Sequence, residues 1–229
     1  MLSPFAAANA AGGMSIRCGL CQRIEQPFER AVAYGSYDGG LRELIHLLKY
    51  ASVRPATSIL GRMLAEAISE IEPAFGGESI AVVPVPMYRG KLRQREFNQA
   101  EVIARSALKL FPADTRLQLQ PEILKRKRET QSQTGLTRHQ RRENVRGAFE
   151  VSNLDAVKGR EILVVDDVYT TGATVSECAR VLRRAGASKV WVATVARTLK
   201  NVEERLEIRE SGEVGAEEQE TILARAVVI

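Results

Sequence analysis

Residues 162–174 read Ile162-Leu163-Val164-Val165-Asp166-Asp167-Val168-Tyr169-Thr170-Thr171-Gly172-Ala173-Thr174. Four β-favouring apolar residues run without alternation into two carboxylates, then into a short Thr/Gly loop. Such a run fits a strand buried on both faces. The carboxylates then stand at its carboxyl end, where open α/β sheets place their ligands. Beyond the loop, Val175, Cys178, Ala179 and Leu182 fall at i, i+3, i+4 and i+7, one apolar face of a helix. Gly186 is a stop for that helix, and residues 189–196 read as the next strand. The unit is βαβ with a polar loop at its ligand-binding end.

The residue types in that loop name a chemistry. Thr170, Thr171 and Thr174 offer hydroxyls, and Gly172 permits a positive φ or a close backbone approach. The helix start at Ala173 adds unpaired N–H groups and the positive end of a dipole. Together these suit a phosphate. Ionised Asp166 and Asp167 accept hydrogen bonds only, which suits sugar hydroxyls. The stretch therefore asks for a phosphorylated sugar.

Val-Val-Asp-Asp-Val-Tyr-Thr-Thr-Gly-Ala-Thr (164–174) resembles the 5-phosphoribosyl-1-pyrophosphate (PRPP) motif of type I phosphoribosyltransferases. The competing readings are a Walker B strand and a receiver-type acidic pocket. A Walker B needs a P-loop, and no G-x-x-x-x-G-K-[ST] occurs in the chain. A receiver carries its acidic pair near the start of the chain, not at position 166.

A length of 229 residues bounds the chain to one large domain, or one with an appendage. Its composition, 45% hydrophobic and 27% charged, is that of an ordinary globular protein. No apolar run approaches the roughly 20 residues of a membrane helix, so no membrane is expected as a partner. The N-terminal Ala/Gly stretch lacks a basic n-region, so no signal peptide is expected and the cytoplasm is the default compartment. Three cysteines make no disulfide framework.

The net charge of +5 is unevenly spread. Lys125, Arg126, Lys127, Arg128, Arg138, Arg141, Arg142 and Arg146 crowd one stretch, while residues after 201 are rich in acids. A basic block can face nucleic acid, an anionic substrate or solvent. This one lacks the interleaved aromatics that stack single-stranded DNA. Beside a phosphate loop, a polyanionic small substrate is the more economical reading.

Outward from the centre, residues 28–37 read as a strand and turn. Leu41, Leu44, Ile45 and Leu48 mark a helix, on which His46 reads as a surface or satisfied residue. A second helix follows Pro55 and ends across residues 73–77. Residues 80–84 are a buried strand that Pro84 and Pro86 terminate. Arg89, Lys91, Arg93 and Arg95 follow as a cationic loop. If that strand lies parallel to 162–166, the loop reaches the same end of the sheet and can hold a pyrophosphate; the alternative is a solvated basic turn. A helix is expected over residues 98–110. Residues 123–151 read as strand, polar loop and strand, with Thr137 capping a short helix through Asn144. A polar excursion of that length is a lid or disordered.

The resemblance then widens. Tyr-Asp-Gly-Gly-Leu-Arg-Glu-Leu-Ile-His-Leu-Leu-Lys-Tyr (37–50), Val-Pro-Val-Pro (83–86), Arg-Glu-Phe-Asn-Gln (95–99) and the spaced Arg128, Thr130, Gln133, Leu136, Arg141, Asn144 and Phe149 are similar to the ComF/GntX family of bacterial phosphoribosyltransferase-like proteins. The resemblance implies an α/β, type I phosphoribosyltransferase fold: a central, mainly parallel sheet, flanking helices and a mobile hood, here residues 129–144 with Thr130, Gln133, Arg141 and Asn144. It implies a Mg²⁺-dependent transfer from PRPP to an unnamed acceptor, with catalytic Asp166 and Asp167, phosphate held by Thr170, Thr171, Gly172, Ala173 and Thr174, and pyrophosphate met by Arg89, Lys91, Arg93 and Arg95. It also links the chain to competence and DNA uptake, with single-stranded DNA and a helicase as partners. The rival from another class is a PRPP- or DNA-binding accessory protein with little catalysis. The organisation expected is residues 1–27 as a disordered or remnant zinc-module segment with one C-x-x-C, 28–197 as the phosphoribosyltransferase-like domain and 198–229 as a charged tail.

Family members begin with a four-cysteine zinc module, whereas this chain has only Cys18 and Cys21 in that region. A single C-x-x-C is half a zinc site or a redox pair, and structural zinc wants four ligands. Metal analysis of the monomer is expected to return clearly less than about one equivalent. A stoichiometric tetrahedral site within one chain would overturn this, and zinc content that tracks dimerisation would point to a homodimer sharing two pairs.

Overall fold

In the computed structural model the described residues are 26–51, 54–133 and 135–198. Cys18, Cys21 and the charged tail lie outside them. The main sheet has five strands, all parallel: β1 (Arg30–Ser36), β2 (Ile80–Pro84), β3 (Leu117–Leu119), β6 (Glu161–Tyr169) and β7 (Lys189–Arg197), in spatial order β1-β7-β6-β2-β3. A separate antiparallel ribbon joins β4 (Leu124–Arg126) to β5 (Phe149–Val151). The helices are α1 (Gly39–Ala51), α2 (Arg54–Ile71), α3 (Arg89–Arg95), α4 (Gln99–Leu108), α5 (Arg138–Val145) and α6 (Ala173–Arg184).

The continuous apolar run has the position its composition demands. β6 lies between β7 and β2, with Ile162, Leu163, Val164 and Val165 all fully buried. Period-two alternation divides them between two cores. Leu163 and Val165 join Leu60, Leu64 and Ile68 of α2 and Ile103 and Ala107 of α4. Ile162 and Val164 join Val175, Cys178, Ala179 and Leu182 of α6, together with Leu124 and Phe149 of the ribbon. The helical layers therefore cover opposite faces, as a doubly wound sheet requires.

The order of connections locates the cleft. From β6 the chain passes through α6 to β7 on one side; from β2 it passes through α4 to β3 on the other. The direction reverses between β6 and β2, and ligands of open α/β sheets bind outside the carboxyl ends of strands at such a point. Because β2 is parallel to β6, residues 85–98 do reach the same end as Asp166 and Asp167.

Some expectations need correction. Residues 89–95 form α3 rather than a loop, because no proline or glycine pair interrupts them after Gly90 and Arg, Lys, Leu and Gln favour helix. β3 was not anticipated, since three residues are too few for a periodicity signal. β6 continues past the carboxylates to Tyr169, paired with β7 as far as Arg197. The helix expected over 98–110 spans Gln99–Leu108.

Helix α2 meets α4 closely at Gly61, where a Cβ would lie 2.4 Å from Ser106 Oγ and 2.6 Å from Ser106 Cβ. Gly61→Ala should therefore lower stability by about 1–3 kcal/mol through overpacking, despite the roughly 1 kcal/mol that alanine gains over glycine in a helix. Ser106→Gly should restore part of the loss in a double-mutant cycle read by urea melts. Strict additivity would show that the two helices do not meet there.

Candidate functional site

Asp166 and Asp167 occupy consecutive positions of β6, so alternation sends them toward opposite faces of the sheet. Asp166 Oδ1 accepts the Asp167 N–H at 2.9 Å, and Asp167 Oδ1 accepts the Val168 N–H at 2.7 Å. These contacts lay both carboxylates along the strand toward the loop. Asp166 shares its face with Cys178 and Arg126. Burial pushes the Cys178 thiol well up, and the nearby Asp166 charge adds to this. The thiol is thus a neutral core group rather than a nucleophile.

The loop that follows is held from within. Gly172 caps α6 with φ 75° and ψ 2°, in the left-handed region. A Cβ there would lie 2.3 Å from Tyr169 Oη and 2.6 Å from Tyr169 Cζ, and Tyr169 is buried. The close approach that demands glycine is therefore that of the Tyr169 ring. Gly172 brings no side chain to cap α6, and among the described residues no side-chain cap is made there, so N–H groups of its first turn are left for another acceptor. The Thr170 carbonyl accepts from Thr198 Oγ1 at 3.3 Å.

Residues 127–148, the arm between β4 and β5, fold over this loop. Thr137 and Gln140 form a capping box on α5, with Gln140 N–H to Thr137 Oγ1 at 3.3 Å and Thr137 N–H to Gln140 Oε1 at 2.8 Å. Asn144 pairs reciprocally with the backbone of Gln131 at 2.9 and 3.0 Å. Arg141 Nε donates to the Leu136 carbonyl at 2.9 Å, and Thr130, buried, accepts from Arg126 Nη2. Thr130, Arg141 and Asn144 thus shape the arm itself. Gln133 reaches the loop: its Nε2 donates to Thr174 Oγ1 at 2.9 Å.

Two arginines not singled out from the sequence stand beside the site. Arg126 is two residues after Leu124 in β4, and the same pleat that buries Leu124 turns the guanidinium inward. It lies 5.4 Å above the Phe149 ring. Burial pulls it below the usual guanidinium range, while Cys178 and Asp166 act in the opposite sense. Arg138 Nη2 donates to the Thr171 carbonyl at 3.4 Å. The buried atoms Arg126 Nε, Arg138 Nε and Thr171 Oγ1 have no hydrogen-bond partner among the described residues. Each such atom costs about 1–3 kcal/mol, and all three belong to residues in or beside the arm–loop contact.

Across the cleft, helical spacing splits the four cations after β2 into two pairs. Arg89 and Arg93 are exposed, while Lys91 and Arg95 are half-buried. Asn98 Nδ2 donates to the Val85 carbonyl at 3.0 Å and closes the segment that carries them. Hence β6 and its loop bring Asp166, Asp167 and Thr170–Thr174 together, and the β2 side brings Arg89–Arg95 to the same end of the sheet.

Comparison with known proteins places the chain in a family. The family model described as phosphoribosyl transferase domain matches residues 98–221. The chain is 32% identical over 183 residues to the DNA utilization protein YhgH of Escherichia coli (strain K12), covering 80% of this chain and 78% of that protein. It is 29% identical over 182 residues to Competence protein F of Haemophilus influenzae, covering 79% and 78%. Among solved structures, the hypoxanthine-guanine phosphoribosyl transferase of L. donovani aligns at 12% identity and a TM-score of 0.39, over 66% of this chain and 73% of that one. With a family model over more than half its length and relatives such as YhgH and Competence protein F over most of it, the chain belongs to the phosphoribosyl transferase domain family, in its ComF/GntX branch.

Proposed function

We propose that the chain transfers the phosphoribosyl group of PRPP to a nitrogen nucleophile, as an amine- or base-phosphoribosyltransferase. One observation carries this reading. An uncapped helix start, entered through a left-handed glycine and three threonines, directly follows two carboxylates at the point where the sheet reverses direction. The first element suits the 5-phosphate and the second the ribose diol.

In the reaction the nucleophile's lone pair forms a bond to the anomeric carbon. The carbon–oxygen bond breaks, its electron pair leaves with pyrophosphate, and the nucleophile's proton passes to solvent. Charge develops positively on the ribose, so catalysis is largely positioning and electrostatics. Asp166 and Asp167 hold the diol near that charge. Lys91 and Arg95, with exposed Arg89 and Arg93, meet the leaving pyrophosphate. The arm excludes water.

The donor set also suits Mg²⁺. Two adjacent carboxylates beside a phosphate cradle match a cation held mostly through substrate phosphates. Asp166 and Asp167 would hold it through the substrate oxygens that they orient, and it would neutralise the departing pyrophosphate.

A second reading rests on the exposed Lys125, Lys127, Arg128, Arg142 and Arg146 along the ribbon and arm, together with the names of the relatives. In it the chain binds PRPP or DNA as an accessory of DNA import beside a helicase. Binding to single-stranded DNA that falls steeply with salt favours this reading. Mg²⁺-dependent pyrophosphate release, screened over amine and base acceptors, favours the enzyme.

Asp166→Asn and Asp167→Asn keep side-chain size but remove the charge. Hydrogen bonds to charged groups contribute roughly 1.5–3 kcal/mol, so each variant should bind PRPP with Mg²⁺ about ten- to a hundredfold more weakly by calorimetry. Thermal melts should show the fold intact. Gly172→Val should abolish binding, because its side chain displaces the Tyr169 ring and strains the left-handed turn. If both asparagine variants bind like the parent, the site is elsewhere.

A further inference from the structure

The arm touches the phosphate loop from outside the sheet, and its two contacts differ in kind. Gln133 Nε2 donates to Thr174 Oγ1 at 2.9 Å, which occupies a lone pair of that hydroxyl and leaves its proton to donate elsewhere. Arg138 Nη2 reaches the Thr171 carbonyl only at 3.4 Å, while Arg138 Nε and Thr171 Oγ1 are buried without partners among the described residues. Arg138 is also not a wandering surface side chain. It is the first residue of α5, which the Thr137–Gln140 box fixes in place. An unpaired guanidinium N–H and two available hydroxyls on facing segments share one lack: an acceptor carrying several lone pairs.

We propose that the anion site of the phosphate loop is two-sided. Thr171, Thr174 and the first turn of α6 bind a phosphate monoester from the loop. Arg138 binds the same group from the arm, so that the terminal phosphate of a sugar phosphate draws the arm shut. This rests on the reading of the loop as a phosphate cradle. A monoester dianion offers three acceptor oxygens, enough for the loop and for the Nε/Nη2 edge of a guanidinium together. Arg138 is a binding residue: it couples arm closure to the sugar phosphate end of the ligand, remote from the bond that breaks.

The experiment is amide hydrogen exchange on the full chain with ribose 5-phosphate, which carries no pyrophosphate. Parent, R138Q and R138K are compared, with unliganded melts as the folding control. In the parent, exchange should slow both in residues 170–176 and in residues 127–148. In R138Q the loop should still be protected at saturating ligand while the arm is not, and affinity should fall about tenfold or more, the effect of losing one charge-assisted hydrogen bond. R138K keeps the charge but not the fork, so its arm protection should be intermediate; if R138Q is unfolded, this variant carries the comparison. Arm protection in R138Q or R138K equal to the parent's overturns the proposal. Protection of the loop but not the arm in the parent also overturns it, and leaves the phosphate reading standing. Protection of neither overturns both.

Discussion

A strand that is apolar on both faces has very few places to go. It must have neighbours on both edges to pair its backbone and a helical layer above and below to cover its side chains. β6 is that strand here, and every other element is arranged by satisfying it. β7 and β2 supply the edges, α2 with α4 one cover, and α6 with the ribbon the other. Because the two covers come from opposite chain directions, the cleft falls at the carboxyl end of this strand, where its sequence turns from valine to aspartate.

The arm depends on the same scaffold. Glu177, buried on α6, accepts the Gly147 N–H at 2.7 Å and pairs with Arg180. Arg128 reaches back to the carbonyls of Asn144 and Arg146 at 3.0 and 2.7 Å. The root of the arm is thus fastened to the helix whose first turn forms the phosphate loop. These contacts hold the root of the arm beside that helix, so Gln133 and Arg138, further out, are its points of contact with the loop.

How much of this was legible in the sequence follows from the range of each interaction. Residues 161–197 could be read because burial, helical period and loop chemistry all lie within a short window: Val164 and Leu182 each sit where their spacing puts them. The switch point needed only the parallel direction of β2. The arm was legible as a polar excursion, and Thr137 as its cap. The partners of its residues were not, because Arg126–Thr130 and Asn144–Gln131 close only when the ribbon forms. Arg126 and Arg138 were hidden inside a run of like charges, where composition gives every cation the same value. What separates them from their neighbours is the pleat of β4 and the start of α5. Alternation with buried Leu124 was a signal for Arg126; Arg138 had none beyond its place after the cap.

The chain's single tryptophan lies far from all of this. Trp191 is three registers below the Asp166–Thr194 pair, about 10 Å along the strand, and on the α2/α4 face. It is buried, its Nε1 donates to buried Glu161 at 2.9 Å, and its ring stands 5.3 Å from Phe75. Glu161 also accepts from Gly76 N–H at 3.1 Å and faces Lys189 at 3.4 Å. Trp191 is thus tied by Glu161 and Phe75 to the end of the sheet opposite the cleft, so its emission should report whether the sheet is assembled.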